Sequence, residues 1–266
     1  MALLSQELEN TTVTIGVKSG DNVAWIGTGF IVAKKSKISD KVYLYLITNK
    51  HVVGNSKVLL VRLQYKNGNI VPTRLEIERD GIKTYTEHPI KDIDIVAISL
   101  NYDFIINNMN QISAFILDEN TYTVDEYLSD GGFEGSPVFM LGYPMGKVDD
   151  YSTTPICRKG CIARFKKKEI EVKYNFILDI QNFPGNSGSP IITCPELIAV
   201  SNSNFITEIK LLGIVHSYYP YEETLVNTQT NEIVEIRSEN SGLALAHPVD
   251  YIKETVLLDL KKNGLK

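Results

Sequence analysis

The sequence predicts an all-β fold, a barrel or a sandwich, with few helices. Short runs of β-branched and aromatic residues recur along most of the 266 residues, and such runs favour strands. Polar or glycine-containing stretches separate them. The clearest, Lys66-Asn67-Gly68-Asn69, is typical of a tight hairpin because Asn and Gly tolerate positive φ angles. Hydrophobic residues make up 43% of the chain, which is enough for a buried core.

The predicted strands form two groups, each made of short strands separated by turn signals, and this pattern is typical of barrels and sandwiches. In the first half of the chain they cover residues 11–17, 27–33, 42–48, 58–64 and 93–100. In the second half they cover residues 136–143, 157–166, 169–179, 189–193, 209–217 and 242–246.

Two further segments complete the predicted organisation. Residues 121–135 are acidic and end in glycines, so we interpret them as the connection between the two β halves. The end of the chain predicts a short amphipathic helix. Ile252, Val256 and Leu257 would form its apolar face. An acidic residue lies near its start and lysines lie near its end, which is the charge distribution that the helix dipole favours.

Charge and hydropathy exclude several classes of partner. The net charge of −5 argues against nucleic-acid binding, which needs basic surfaces. The one basic cluster, around residues 164–168, is interpreted as a solvated turn. No run reaches the roughly 18 apolar residues of a membrane helix, and the N-terminus lacks the pattern of a secretory signal. We therefore expect a cytoplasmic protein that binds neither nucleic acid nor membrane.

The cysteines predict free thiols. The chain has an odd number of cysteines, Cys157, Cys161 and Cys194, and it shows no export signal. A zinc site is the alternative, but the spacing is not Cys-x-x-Cys and no second pair exists. We therefore expect no metal and no organic cofactor.

Three segments carry residues suited to nucleophilic catalysis. His51 follows a predicted strand, Asp94 opens another, and Ser187 lies in the glycine-rich segment Phe-Pro-Gly-Asn-Ser-Gly-Ser-Pro. A serine hydroxyl is a poor nucleophile near neutral pH unless a histidine takes its proton. A carboxylate on the other ring nitrogen fixes the tautomer of that histidine. Glycines beside the serine let backbone N–H groups turn towards developing negative charge.

These segments resemble the motifs of the trypsin-like serine proteases, especially bacterial relatives of the HtrA/Deg type. The stretch Thr-Asn-Lys-His51-Val-Val is similar to the family's T-x-x-H-V motif, and Asp94-Ile-Val-Ala-Ile-Ser-Leu to its D-I-A-L-L strand. Gly185-Asn-Ser187-Gly-Ser-Pro is similar to its G-[DN]-S-G-[GS]-P loop, and Gly27-Thr-Gly-Phe to the strand before the histidine. The order His, Asp, Ser is that of chymotrypsin-like folds. The resemblance covers roughly residues 11–256.

The resemblance implies a fold and its boundaries. It implies two six-stranded antiparallel β-barrels of the chymotrypsin-like type, followed by a short C-terminal helix. The chain ends after that helix, so we expect no PDZ domain. A single peptidase domain would span residues 1–266. Within it we expect the N-terminal barrel at 10–118, the connection at 119–135, the C-terminal barrel at 136–250 and the helix at 251–263.

The resemblance also implies roles for individual residues. His51 would be the general base, Asp94 its orienting acid and Ser187 the nucleophile, with the backbone N–H groups of Gly185 and Ser187 as the oxyanion hole. Asp92 competes with Asp94, but the apolar run begins directly after Asp94. The substrate-binding residues implied are Gln181, His216, Ser217, Tyr218 and Leu243.

Two histidines are interpreted separately from the triad. Val215 occupies the place from which a histidine selects acidic substrates in some relatives, so His216 is expected to point the other way, towards Asp94. His247 is interpreted as structural.

The sequence leaves rival functions open. The leading hypothesis is a serine endopeptidase acting on a protein or peptide substrate. One rival is a latent or non-catalytic protease fold that binds, or is switched on by, a regulatory protein partner. Another is a metal-dependent hydrolase that uses His51, His216 and nearby acids.

Overall fold

The computed structural model describes residues 5–195 and 206–265, and it confirms the predicted mostly-β class. The strands of the first half are β1 (Thr12–Ser19), β2 (Asn22–Lys35), β3 (Val42–Thr48), β4 (Val58–Gln64), β5 (Ile70–Glu76), β6 (Glu78–Arg79), β7 (Ile82–Lys83), β8 (Tyr85–Glu87), β9 (Val96–Leu100) and β10 (Phe115–Ile116). Those of the second half are β11 (Pro137–Gly142), β12 (Ile156–Arg164), β13 (Phe176–Asp179), β14 (Pro190–Thr193), β15 (Leu211–Val226) and β16 (Ile233–Pro248). The helices are α1 (Gln6–Glu9), α2 (Lys50–Val53), α3 (Tyr102–Asn108), α4 (Val124–Ser129), α5 (Lys167–Lys173) and α6 (Val249–Lys262).

Eight strands of the first half form one sheet with the order β5-β4-β1-β2-β3-β9-β8, in which β10 pairs with β2, and β6 and β7 form a separate two-stranded sheet. Apolar side chains of successive strands, among them Ile15, Ile31, Leu46 and Leu59, are buried together as its core. Pairing of β3 with β9 sets Thr48 opposite Val96, which brings the segments around His51 and Asp94 to the same end of the sheet.

The second half is a closed six-stranded barrel, as predicted, with the order β11-β12-β13-β16-β15-β14. Its interior is filled by apolar side chains that include Val138, Ile162 and Leu178. A further buried cluster contains residues of both halves and of α6, for example Phe30, Leu141 and Val256. This shared core joins the two β units.

The C-terminal helix is confirmed as α6, which buries Ile252, Val256 and Leu260. The connection at 119–135 contains α4, which begins with a capping box between Thr123 and Glu126. Among the described residues, no helix combines the length and the apolar character needed to cross a membrane.

The predicted strand at 169–179 is wrong in its first part, because residues 167–173 form α5. The alternation Glu169-Ile170-Glu171-Val172 imitates a half-buried strand. Only Ile170 reaches the core, however, and Val172 is 74% exposed. Val172 has no surface to pack against, so the segment forms a short helix that buries only Ile170. It ends at Tyr174, which adopts the left-handed conformation.

The strands predicted at 209–217 and 242–246 continue well beyond the barrel. In the structure β15 runs to Val226 and β16 starts at Ile233, so residues 219–240 form a projecting two-stranded hairpin. We call these residues the hairpin arm.

Candidate active site

His51 and Asp94 meet because two neighbouring strands end side by side. His51 lies in α2, directly after β3, and Asp94 lies just before β9. The buried Asn49 side chain donates a hydrogen bond to the Asp94 carbonyl oxygen at 2.7 Å and ties the two segments together. Asp94 is half-buried, whereas its competitor Asp92 is exposed.

The Asp94 carboxylate contacts His51 through both oxygens. The His51 ring Nδ1 bonds directly to Asp94 Oδ2, and the His51 backbone N–H donates to Oδ1 at 3.2 Å. Burial acts to raise the pKa of Asp94, but the hydrogen bonds and charge of His51 outweigh it and lower that pKa. An ionised Asp94 holds the proton of His51 on Nδ1, which leaves Nε2 free to accept one.

Two buried imidazoles lie behind Asp94. His247 Nε2 accepts the Asp94 backbone N–H at 3.0 Å, and its Nδ1 lies 2.5 Å from the Tyr174 carbonyl oxygen. His247 is therefore neutral, with its proton on Nδ1, and this agrees with its interpretation as structural. The His216 ring stacks on His247 at 4.0 Å between centroids. Burial lowers the pKa of His216 to about 3 and that of His247 to about 4.

The histidine pair predicts that stability falls under mild acid. The unfolded chain takes up protons near pH 6.5, whereas the folded pKa values of His216 and His247 are about 3 and about 4. The contribution of the two neutral histidines to the free energy of unfolding is therefore complete above about pH 6.5 and is lost as the pH falls towards 4. We expect the urea midpoint to drop between neutral pH and pH 5.

A His216→Phe variant is the matched control for that titration, since it should show a weaker pH dependence over the same range. Equal urea midpoints at neutral pH and pH 5 in the parent protein would contradict the expectation.

Ser187 lies in a tight loop whose backbone conformation requires glycine at positions 185 and 188. The Asn186 N–H donates to the Phe183 carbonyl oxygen at 3.0 Å, which closes a turn with Pro184 and Gly185 at its centre. Gly185 has φ +96°, which suits the third position of a type II turn. Gly188 has φ +89°, and a Cβ there would lie 1.9 Å from the Thr28 carbonyl oxygen.

The same loop presents two unpaired backbone donors. The Met145 N–H donates to the Pro184 carbonyl oxygen at 2.5 Å. Because this peptide is trans, the Gly185 N–H points in the opposite direction. Neither this N–H nor that of Ser187 has an acceptor within the part of the chain that the structure describes. Together they are suited to bind an oxygen that acquires negative charge.

Thr28 of the first half supports the serine loop of the second. Its N–H donates to the Ser187 carbonyl oxygen at 2.8 Å. Its hydroxyl donates to the Gly185 carbonyl oxygen at 2.7 Å and accepts the Tyr143 N–H at 3.1 Å. Thr28 is fully buried. We call these contacts the Thr28 clamp; the sequence offers one signal for it, a polar residue between two glycines in an apolar strand.

The clamp also reaches towards His51. The Thr48 hydroxyl donates to the Thr28 carbonyl oxygen at 2.7 Å, and Thr48 precedes His51 by three residues. Ser187 is thus connected to the His51 segment through Thr28 and Thr48. The Ser187 hydroxyl makes no hydrogen bond to His51 Nε2 in the described residues. Such bonds are often long in the absence of substrate and tighten when it binds.

The residues predicted to bind substrate lie around the base of β15 and β16. Ser217 and Tyr218 are half-buried on β15, opposite Leu245 and Ala244 of β16. The exposed Gln181 has its Nε2 3.3 Å from where a Cβ on Gly242 would lie, next to the half-buried Leu243. Gln181 and Leu243 therefore lie at one site.

His216 differs from the other predicted substrate-binding residues. Its ring is buried on His247 and Nε2 has no hydrogen-bond partner among the described residues. His216 could therefore contribute to substrate binding only through its backbone. Sequence reasoning missed Asn182, whose buried side chain donates to the Ser217 carbonyl oxygen at 2.9 Å.

The chain is similar to solved protease structures at low sequence identity. The HtrA-type protease AlgW, solved with a decapeptide, is 14% identical with a TM-score of 0.53, covering 100% of this chain and 69% of its own. The protease domain of MamO from Magnetospirillum magneticum, in the apo form, is 13% identical with a TM-score of 0.47, covering 93% of this chain and 96% of its own. A comparison with curated proteins found no match.

A family model identifies the chain more directly. The model of the trypsin-like peptidase domain matches residues 27–198. That range contains His51, Asp94, Ser187 and the Thr28 clamp. The chain therefore belongs to the trypsin-like peptidase domain family.

Proposed function

We propose that the protein is a serine endopeptidase that hydrolyses peptide bonds through Ser187, His51 and Asp94. The observation that carries the proposal is the two-point contact between Asp94 and His51, next to a serine loop with two free N–H groups. This arrangement suits acyl transfer, because it combines a nucleophile, an oriented base and donors for the oxyanion.

The proposed reaction has two stages. Ser187 Oγ attacks the peptide carbonyl carbon while His51 Nε2 takes its proton, and the carbonyl oxygen moves towards the N–H groups of Gly185 and Ser187. His51 then gives the proton to the leaving amine, and an ester on Ser187 remains. Water attacks that ester by the same route and restores the free serine. Asp94 keeps its charge and stabilises the imidazolium in both stages.

We propose a protein or peptide as the substrate. AlgW, which shares the fold, was solved with a decapeptide. The neutral side chains of the exposed Gln181 and the half-buried Leu243, which lie at one site, suit an uncharged side chain before the scissile bond. A peptide panel that differs only at that position checks this; a preference for Arg or Lys would contradict it.

Labelling with a fluorophosphonate tests the proposal directly, because the reagent reacts with activated serines. We expect one adduct on the intact parent protein, measured by mass spectrometry. Ser187→Ala and His51→Ala should abolish it. Ser189→Ala is the matched control, since Ser189 lies in the same loop but is fully buried, and this variant should keep the adduct.

The pattern of labelling separates the proposed enzyme from its rival. An adduct that survives in Ser187→Ala would exclude the proposed nucleophile. No adduct on a folded parent protein would mean a latent or non-catalytic protease fold, and a partner protein that restores labelling would then define the latent form.

A further inference from the structure

The hairpin arm is an exposed ribbon that neither β unit covers. Its strand residues are exposed on both faces, and the apolar ones include Tyr221, Val226, Ile233, Val234 and Ile236. A two-stranded hairpin that buries neither face gains little stability from its own contacts. An apolar surface of this kind marks an interaction site in a folded protein.

The base of the arm is fixed against the proposed active site. Asn182 holds the Ser217 carbonyl oxygen, and the Ser241 hydroxyl donates to the Tyr219 carbonyl oxygen at 2.6 Å. Asn182 precedes Ser187 by five residues. The arm is therefore oriented by the loop that carries the nucleophile.

One edge of β15 is free along the arm. β14 pairs with β15 only as far as Ile214, and Val215 bonds to the backbone of Gly188 and Ser189. Beyond Val215 no described strand pairs with that edge, while the other edge pairs with β16. Pro220, which has no N–H, and a register shift beside it interrupt this edge, and from Tyr221 to Val226 it extends for about 17 Å at the usual rise per residue. A free edge of this length is a template for adding a strand.

The charge of the arm indicates what it binds. It carries Glu222, Glu223, Glu232, Glu235 and Glu239 against a single base, Arg237, which pairs with Glu235. Two such arms would repel each other, which disfavours pairing with a second copy of the chain. A segment rich in lysine or arginine would be attracted.

We propose that the arm binds the substrate polypeptide as an added β-strand. It selects basic residues on the N-terminal side of the scissile bond, further from that bond than the uncharged residue expected directly before it. This deepens the proposed function and rests on it. β15 starts beside the serine loop and runs away from it, and every strand pair of the described barrel is antiparallel. An antiparallel substrate strand therefore ends at Ser187, so the residues before the bond lie along the arm.

Two variants test the proposal. In a shortened-arm variant, Asn-Gly replaces residues 222–238 and joins Tyr221 to Glu239, which are directly opposite each other. In a charge variant, Glu222→Gln, Glu223→Gln and Glu239→Gln lower the net charge of the arm from −4 to −1 without changing its length. The matched control neutralises exposed acids elsewhere, through Glu7→Gln, Asp103→Asn and Glu171→Gln. Fluorophosphonate labelling first establishes that each variant keeps its active serine.

The substrates come from a bond that the parent protein cleaves in denatured casein. A short peptide around that bond is compared with one extended before the bond by a lysine-rich segment that reaches the tip of the arm. We expect the extension to raise kcat/KM about tenfold, equivalent to about 1.4 kcal/mol. The shortened-arm and charge variants should lose this gain, and the control variant should keep it. Glutamate in place of lysine should also abolish it.

Several outcomes would overturn the proposal while the proposed function stands. They are equal gains in the parent and the shortened-arm variant, a gain from extension after the bond instead of before it, or loss of a dimer as the sole effect of shortening. Absence of labelling and cleavage in the parent protein would instead remove the proposed function, and this inference with it.

Discussion

Replacing Asp94 by Asn should reduce kcat/KM for a peptide substrate by about 10⁴-fold while the protein remains folded. The reason lies in the two contacts of the carboxylate. Oδ1 accepts the His51 backbone N–H, so an Asn side chain would keep its oxygen there and turn its NH₂ group towards the ring. His51 Nδ1 would then have to accept, its proton would move to Nε2, and the base facing Ser187 would be lost.

Asp92→Asn is the matched control for this prediction, since Asp92 is an exposed acid two residues earlier. We expect activity close to that of the parent protein. Steady-state kinetics and the rate of fluorophosphonate labelling should agree for both variants. A loss of similar size in Asp92→Asn, or full activity in Asp94→Asn, would contradict the assignment of the orienting acid.

Replacing Thr28 by Val should damage both stability and catalysis, although the two side chains have nearly the same shape. The change leaves the Gly185 carbonyl oxygen and the Tyr143 N–H without their partner in a buried site. We expect a loss of about 2–6 kcal/mol in the free energy of unfolding, at about 1–3 kcal/mol for each of the two groups. A shift of about 1 Å in the serine loop would lower kcat about 10²-fold.

Thr14→Val provides the comparison, because Thr14 lies directly opposite Thr28 and is also buried, but its hydroxyl bonds only to Gly27 at 3.4 Å. It should cost less stability and leave kcat unchanged. Thr28→Ser keeps the hydroxyl and should restore most of the activity. A Thr28→Val protein that is unstable but labels at the parent rate would mean that the clamp supports the fold without positioning Ser187.

The candidate triad could be proposed from the sequence because each member lies in a segment whose local chemistry is distinctive. Gly185 and Gly188 must be glycines for steric reasons, and those reasons leave a recognisable pattern around Ser187. Asp94 could be preferred to Asp92 because a buried strand follows it directly. In each case the functional requirement and the local sequence pattern coincide.

The hydrogen-bond partners of Thr28 and His247 could not be predicted, because they are distant in the chain. Thr28 bonds to residues 115 and 157 positions away, and His247 to one 153 positions away. The hairpin arm was missed for another reason. Glutamates and tyrosines exposed on both faces leave no alternation of buried and exposed residues to predict a strand.

The Thr28 clamp has a consequence for synthesis of the protein. His51 and Asp94 are translated 136 and 93 residues before Ser187, and domains fold in the order in which they are synthesised. The loop that carries the proposed nucleophile is held by Thr28 of the first half. The proposed peptidase activity would therefore require both β units, so an incompletely synthesised chain would not cleave neighbouring proteins.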